Sequence, residues 1–392
     1  MASKKINNLK ITASILYLSY FMMGLRLSMV AQYKPEFATI WHTDVSGVLQ
    51  VVAAIGLGGI ISILITGPVS DYFGRKFCAV IGHLIWASYF IGLLYAPNLT
   101  VAYIIATTSG IGQSFVNSSN FPSLMEIFPK NASIAGIMTK FAINIGQFAL
   151  PIFAFVVSLL GANYRIVFWG TGLVYLALAF LLICLPFPQH HSKKQLVKQS
   201  FAFTDRLPIS VIALALIGYT STAVFLLWVN TYQELAKSYG VSNPIYLQTI
   251  YAFGASIAVV FNSFIIKKGI KEVDLLLYYP LFTALSLILT VLIKASWIVS
   301  FANLAVGFFA AGGLYQLALT VLGNSYPTIK ATAQSWAAFF SALSNLTIFS
   351  IASWITGFSG ANSAKYIVIM NIFLSLLGSV LALIVKVCNK KG

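Results

Sequence analysis

Apolar residues in this chain come in long, nearly unbroken runs, not in the alternating or one-faced patterns of soluble strands and helices. The runs lie near 11–32, 45–66, 77–96, 101–124, 134–160, 166–185, 208–232, 246–266, 275–293, 297–322, 332–356 and 366–386. Roughly 20 residues, rising about 1.5 Å each, cover the hydrocarbon thickness of a bilayer, so each run can cross as one helix. The pattern predicts an all-α membrane protein with twelve transmembrane helices. Composition agrees, with 59% hydrophobic and only 8% charged residues. A formal charge of +16 would suit a nucleic-acid partner, but the cations sit between the runs and form no folded basic surface, which excludes that class. With the N-terminus in the cytoplasm, seventeen of the 24 Lys and Arg fall on the cytoplasmic side and five outside, so the positive-inside rule predicts both termini cytoplasmic. The first run is too long for a cleavable signal and reads as the first span. Cys78, Cys184 and Cys388 fall at cytoplasmic ends of spans, where no disulfide is expected.

The one long polar interruption, Pro186 to Arg206, divides the chain into an N-terminal six-helix bundle (1–187), a cytoplasmic linker (188–207) and a C-terminal six-helix bundle (208–392). The halves repeat. Phe128-Pro129 ahead of Ala135 recurs as Tyr326-Pro327 ahead of Ala333, an offset of 198 residues that also carries Ile11 to Ile209 at the start of the seventh run.

Between the second and third runs stands Gly67-Pro68-Val69-Ser70-Asp71-Tyr72-Phe73-Gly74-Arg75-Lys76, read as a tight charged turn at the cytoplasmic surface. Its spacing resembles G-x-x-x-D-R-x-G-R-K, which joins helices two and three in the major facilitator superfamily of secondary transporters, with Tyr72 where an Arg is usual. The counterpart, Ile265 to Asp274, keeps charges at Lys267, Lys268, Lys271, Glu272 and Asp274 but loses the acid–glycine spacing. The resemblance implies two pseudo-symmetric six-helix bundles in the major facilitator fold, working by alternating access around a mid-membrane site between the halves. A narrower resemblance rests on Phe121-Pro122-Ser123-Leu124-Met125-Glu126-Ile127-Phe128-Pro129, Gly146-Gln147-Phe148 and Ala311-Gly312-Gly313. These look like a branch of bacterial inner-membrane transporters similar to aromatic-acid/proton symporters, which implies shikimate- or quinate-like solutes.

Ionisable groups inside a span are expensive and so point to function. Arg26 lies roughly 6 Å from the centre of the first helix, at about 1.5 Å per residue, where a guanidinium could grip a substrate carboxylate by a bidentate pair; pairing with Glu36 or Asp44 is the alternative. Helical spacing puts Gln113, Asn117 and Asn120 on one face of the fourth helix and Lys140, Asn144 and Gln147 on one face of the fifth. Both stripes read as cavity walls, or as hydrogen-bond ties between helices. In the second half Tyr219, Tyr251, Tyr315, Gln316, Trp336 and Asn345 are amphipathic groups near mid-span. The expected substrate-binding set is therefore Arg26, Gln113, Asn117, Asn144, Gln147, Tyr219, Tyr315, Gln316, Trp336 and Asn345. Gly67, Asp71, Gly74 and Arg75 are expected to hold an inner gate shut, with Lys140 pairing an acid such as Glu126.

All eight acids lie in connections or at span ends, so proton coupling would have to use Glu126, Asp44 or the span-three His83. Enzyme chemistry finds no foothold: His190-His191 lacks further ligands at metal spacing, and neither a phosphate-cradling loop nor a nucleophile elbow occurs. No catalytic residue, metal or cofactor is expected. The expected protein is a bacterial inner-membrane secondary or facilitative transporter, a monomer whose partners are the bilayer, a small polar organic acid and, as a candidate coupling ion, the proton. A proton-coupled multidrug or sugar transporter is the alternative; the fifth helix keeps Gly146 and Pro151 of the glycine-rich run typical of drug exporters but not the rest.

Overall fold

The computed structural model describes residues 2–43, 45–159, 161, 163–188, 207–242, 244, 246–359 and 362–388. Its helices are α1 (Ala2–Gln32), α2 (Lys34–Ile40), α3 (Val45–Phe73), α4 (Arg75–Tyr95), α5 (Leu99–Ile127), α6 (Ala132–Leu159), α7 (Arg165–Cys184), α8 (Ile209–Ser238), α9 (Tyr246–Lys267), α10 (Glu272–Ile293), α11 (Ser296–Val306), α12 (Leu314–Ser325), α13 (Lys330–Ser359) and α14 (Ser363–Cys388). No strand occurs among the described residues. Among the described residues, nine segments are long and apolar enough to cross a membrane, with α11 and α12 forming one, Ser296–Ser325. Helices α1, α6 and α13, of 31, 28 and 30 residues, complete the twelve expected spans. Large apolar side chains stay exposed along one face of these helices, such as Leu173 and Phe180 on α7 or Phe373 and Val380 on α14. In water that pattern would be a liability; against lipid it is the required outer surface.

Two compact units form, the first comprising α1–α7 with Tyr326–Ser335, the second α8–α12, the rest of α13 and α14. The linker expected over 188–207 lies outside the described residues from 189 to 206, as do His190, His191, Asp205 and Asp44. Within the first unit, spans two and four, three and four, and three and six pack together. The corresponding spans of the second unit, eight and ten, nine and ten, and nine and twelve, do the same, so the repeat at offset 198 is also a repeat of packing.

Two segments expected as connections are helical. Residues 34–40 form α2, begun by Pro35 in its first turn, and Phe37 stacks on Trp41 at 4.7 Å and meets Phe168 edge-on at 5.0 Å. The turn expected from Gly67 onward is a correction of larger consequence. Helix α3 runs through Pro68 to Phe73, and only Gly74, at φ 104°, takes a left-handed value. Gly67 serves a different need: a Cβ there would lie 2.8 Å from the Ala331 carbonyl oxygen, so its bare backbone admits a close neighbour. In the second unit Gly269, at φ 93°, makes the corresponding turn, and Asp274 pairs with Lys386 at 2.7 Å.

Span ten is broken. Residues Gly307–Ala311 form a π-helical turn and Gly313 adopts φ 109° before α12 begins. Asn262 Nδ2 donates to the Gly312 carbonyl at 2.9 Å, and the Tyr279 hydroxyl donates to Asn262 Oδ1, so the break is tied to α9 and α10. A backbone group freed inside an apolar span needs such a partner.

Candidate functional site

Helices α1 and α6 meet at Gly24 and Gly146. A Cβ on Gly24 would sit 2.1 Å from the Ile143 carbonyl oxygen, and one on Gly146 would sit 2.0 Å from that of Phe21. This contact sets Asn144 and Gln147 beside the stretch of α1 that carries Arg26. Arg26 is 4% exposed. Its Nη1 donates to Ser109 Oγ at 3.2 Å, its Nη2 donates to Gln113 Oε1, and its guanidinium carbon lies 4.8 Å from the centre of the Trp86 ring. Gln113 Nε2 in turn donates to Asn117 Oδ1 at 3.2 Å. The structure thus joins Arg26, Gln113 and Asn117 into one chain of side chains and places Asn144, 8% exposed, and the exposed Gln147 on the helix alongside.

Among the described residues, the partners of Arg26 are neutral: Ser109, Gln113 and the Trp86 ring. The Arg26 Nε is buried and has no acceptor, and among the described residues no carboxylate approaches within the 4.0 Å of an ion pair. The pairing with Glu36 offered as an alternative is therefore not formed; Glu36 lies on α2 with a buried oxygen of its own unpartnered. A desolvated, uncompensated guanidinium attracts an anion strongly, and its planar fork suits a carboxylate in place of the Gln113 amide oxygen.

His83 and Asn120 belong to a separate polar tie. His83 Nδ1 meets the Ala79 carbonyl at 2.6 Å, which can only accept, so that nitrogen carries the proton. Ser19 Oγ lies 2.7 Å from Nε2 and accepts from Asn120 Nδ2 at 3.1 Å, so the serine hydroxyl donates to the imidazole. The neutral tautomer is fully satisfied, and α1, α4 and α5 are stitched together.

The motif residues form a second cluster in the same unit. Asp71 is 0% exposed and pairs with Arg75 at 2.6 Å. Its carboxylate also accepts from Ala331 N at 3.3 Å, Thr332 N at 2.7 Å and Thr332 Oγ1 at 2.6 Å. These N–H groups belong to the first turn of α13, so Asp71 caps a helix some 260 residues away in sequence. Glu126, which the sequence offers to Lys140, accepts on Oε1 from Arg75 Nη2 at 3.0 Å. Lys330 adjoins the cluster: burial pulls its pKa below the ordinary lysine value while the Glu126 carboxylate works against that. Lys140 is half-buried on α6.

In the second unit Tyr219 OH and Thr347 Oγ1 are 2.9 Å apart, as are Thr222 Oγ1 and Ser341 Oγ at 2.7 Å. Asn345 is exposed and donates to the Ser341 carbonyl at 3.2 Å, and Tyr315 hydrogen-bonds to Ser341. Gln316 is buried on α12, and Trp336 is half-buried on α13. Sequence reasoning missed Ser109, Trp86, Ser341, Thr347 and Thr332. Ser109 was within reach, four residues before Gln113 on the same face; Trp86 was one aromatic among many.

Comparison with known proteins agrees with this architecture. The chain is 28% identical to the inner membrane transport protein YdiM of Escherichia coli K12 over 97% of its own length and 95% of that protein's. It is 30% identical to the 4-hydroxybenzoate transporter PcaK of Acinetobacter baylyi over 100 residues, covering 26% of this chain and 22% of that one. Its fold resembles that of the Escherichia coli fucose:proton symporter FucP, with a TM-score of 0.74 at 12% identity, covering 96% of this chain and 99% of the other. The family model of the Major Facilitator Superfamily matches residues 16–344, and the chain is thus a multi-pass membrane transporter that belongs to that superfamily.

Proposed function

We propose that the protein carries a small hydroxylated organic acid, shikimate- or quinate-like, with Arg26 gripping the carboxylate and Gln113, Asn117, Asn144 and Gln147 meeting the hydroxyls. The observation that carries this reading is the buried guanidinium whose contacts among the described residues are all neutral. Burying an unpaired cation is costly, and a solute carboxylate removes the cost each time it binds. The stripes beside it donate and accept through amides, which suits a polyhydroxylated ring. PcaK, by its name a carrier of an aromatic hydroxy acid, is consistent with that chemistry. Tyr219, Tyr315, Gln316, Trp336 and Asn345 are the second unit's own candidates for hydroxyl, amide and ring contacts with a solute.

The Asp71 cluster serves the conformational cycle in this reading. Gly67 admits the start of α13, Gly74 turns the chain, and Arg75, held by Asp71 and Glu126, fixes the carboxylate that caps α13; Lys140 on α6 is assigned to the same gating role.

Uptake of radiolabelled shikimate, quinate and 4-hydroxybenzoate by cells producing the Arg26→Lys and Arg26→Ala variants tests the assignment. Removing one partner of a buried charge pair costs about 2–5 kcal/mol, so Arg26→Ala should lower uptake efficiency by about 30-fold or more, with Arg26→Lys retaining part of it. Unchanged uptake in both variants would remove Arg26 from the site.

A further inference from the structure

We propose that the second unit binds an anionic phospholipid on its outer face, the phosphate held among Lys267, Lys268 and Lys271 and the acyl chains lying along a band of phenylalanine rings. The turns at Gly74 and Gly269 correspond, but they treat their cations differently. In the first unit Arg75 is buried and held by Asp71 and Glu126. In the second, Lys267, Lys268 and Lys271 are exposed, and none of them forms an ion pair among the described residues. The acids at this turn are Glu272 and Asp274, and Asp274 is spent on Lys386 at 2.7 Å. Four cations against two acids leave the turn with a net positive charge. Two of those ammonium groups sit over rings on the helix surface. Lys268 Nζ lies 4.4 Å from the centre of the Phe264 ring, which is 55% exposed on α9, and Lys386 Nζ lies 5.9 Å from the ring of Tyr278, exposed on α10. The charge is thus placed at the border between apolar span and polar turn, where headgroups lie.

Below the lysines the apolar surface is continuous. Helices α9 and α10 both pack against span ten, whose π-helical turn carries Phe308 and Phe309. Phe261 of α9 meets Phe308 at 5.5 Å, Phe308 meets Phe309 at 4.9 Å, and Phe309 meets Phe282 of α10 at 5.2 Å. Phe261 and Phe282 are exposed, and the two rings between them are half-buried. Phe261, Phe264 and Lys268 recur at i, i+3 and i+7, so they share one side of α9 and its end. At about 1.5 Å per residue, Phe261 lies roughly 10 Å from Lys268, which is acyl-chain depth. An apolar band capped by cations with too few acids matches a molecule with an anionic head and hydrocarbon tails. A zwitterionic head would bring a cation of its own against the lysines, and a soluble anion would leave the rings without a partner. The positive-inside count predicts this end to be cytoplasmic, facing the leaflet whose surface potential is negative.

The test uses the full chain purified in neutral detergent and mixed with phosphatidylglycerol, with phosphatidylcholine of the same acyl chains, or with glycerol phosphate alone. Native mass spectrometry counts the bound lipid, and a melting curve reads the stabilisation. Each lysine beside an anionic lipid contributes roughly fivefold in affinity, so phosphatidylglycerol should be preferred over phosphatidylcholine by at least about tenfold. In the Lys267→Gln, Lys268→Gln, Lys271→Gln variant the two lipids should bind within about threefold of each other, since the source of the preference is gone. Removing the same charge elsewhere, by Lys193→Gln, Lys194→Gln and Lys198→Gln, should leave the preference intact. Equal binding of the two lipids by the parent, a preference that survives in the first variant, or the same loss in the second overturns the site. Stabilisation by glycerol phosphate equal to that by phosphatidylglycerol assigns the lysines to a soluble anion and overturns it as well.

Discussion

Changing Asp71 to Asn keeps the size of the side chain and removes its charge, and the loss can be worked out contact by contact. The buried carboxylate receives Arg75 Nη1 at 2.6 Å and Ala331 N at 3.3 Å on Oδ1, and Thr332 N at 2.7 Å and Thr332 Oγ1 at 2.6 Å on Oδ2. An amide offers one acceptor oxygen and one donor group, so in either orientation its NH₂ confronts donors that the carboxylate satisfied. Hydrogen bonds to charged groups contribute about 1.5–3 kcal/mol each, and breaking a buried ion pair from one side costs about 3–5 kcal/mol. Arg75 keeps Glu126 at 3.0 Å, which places the expected cost at the lower end, about 3 kcal/mol. At about 1.4 kcal/mol per factor of ten, the opened state should become roughly 100-fold more populated.

Cys78 reports on that opening. It is buried on α4 beneath the cluster and hydrogen-bonds to Ser70, whose hydroxyl in turn accepts from Arg75 at 3.1 Å, while Cys184 and Cys388 are exposed. In a Cys184→Ser, Cys388→Ser background, the rate of maleimide labelling at Cys78 follows the population of the open form when closing outpaces modification. Asp71→Asn should accelerate it about 100-fold, by the cost worked above. Asp274→Asn, which breaks only the partly exposed pair with Lys386, should leave it unchanged. Labelling within threefold of the parent in Asp71→Asn would refute the lock.

Gly67→Ala should act like a weaker Asp71→Asn, because its methyl would meet Ala331 O and Ser335 Oγ at 2.8 Å; overpacking of this kind costs about 1–3 kcal/mol, and Cys78 labelling again measures it. Gly74→Ala meets no neighbour within 4 Å but must hold φ 104°, so it should lower thermal stability by about 1–2 kcal/mol through strain alone. Asn262→Leu leaves the Gly312 carbonyl and the Tyr279 hydroxyl without partners, at about 1–3 kcal/mol for each group. Adding Tyr279→Phe should restore part of that loss in a melting experiment, and strict additivity of the two changes would argue against the tie.

How much of this was legible beforehand follows from what stands out against an apolar background. The twelve spans could be read because the bilayer dictates run length, and α8 begins at Ile209, where the repeat offset places it. Gly67 and Pro68 misled, since both mark turns in soluble chains; inside a packed helical unit α3 carries them without breaking and the turn waits for Gly74. The cap that Asp71 makes on Thr332 spans 261 residues, and nothing local in either segment announces it. Arg26 was the reverse case. A charge in an apolar run is conspicuous, and the i, i+4 spacing of Gln113 and Asn117 already placed two of its companions on one face; Trp86, one of 7 tryptophans, carried no such mark.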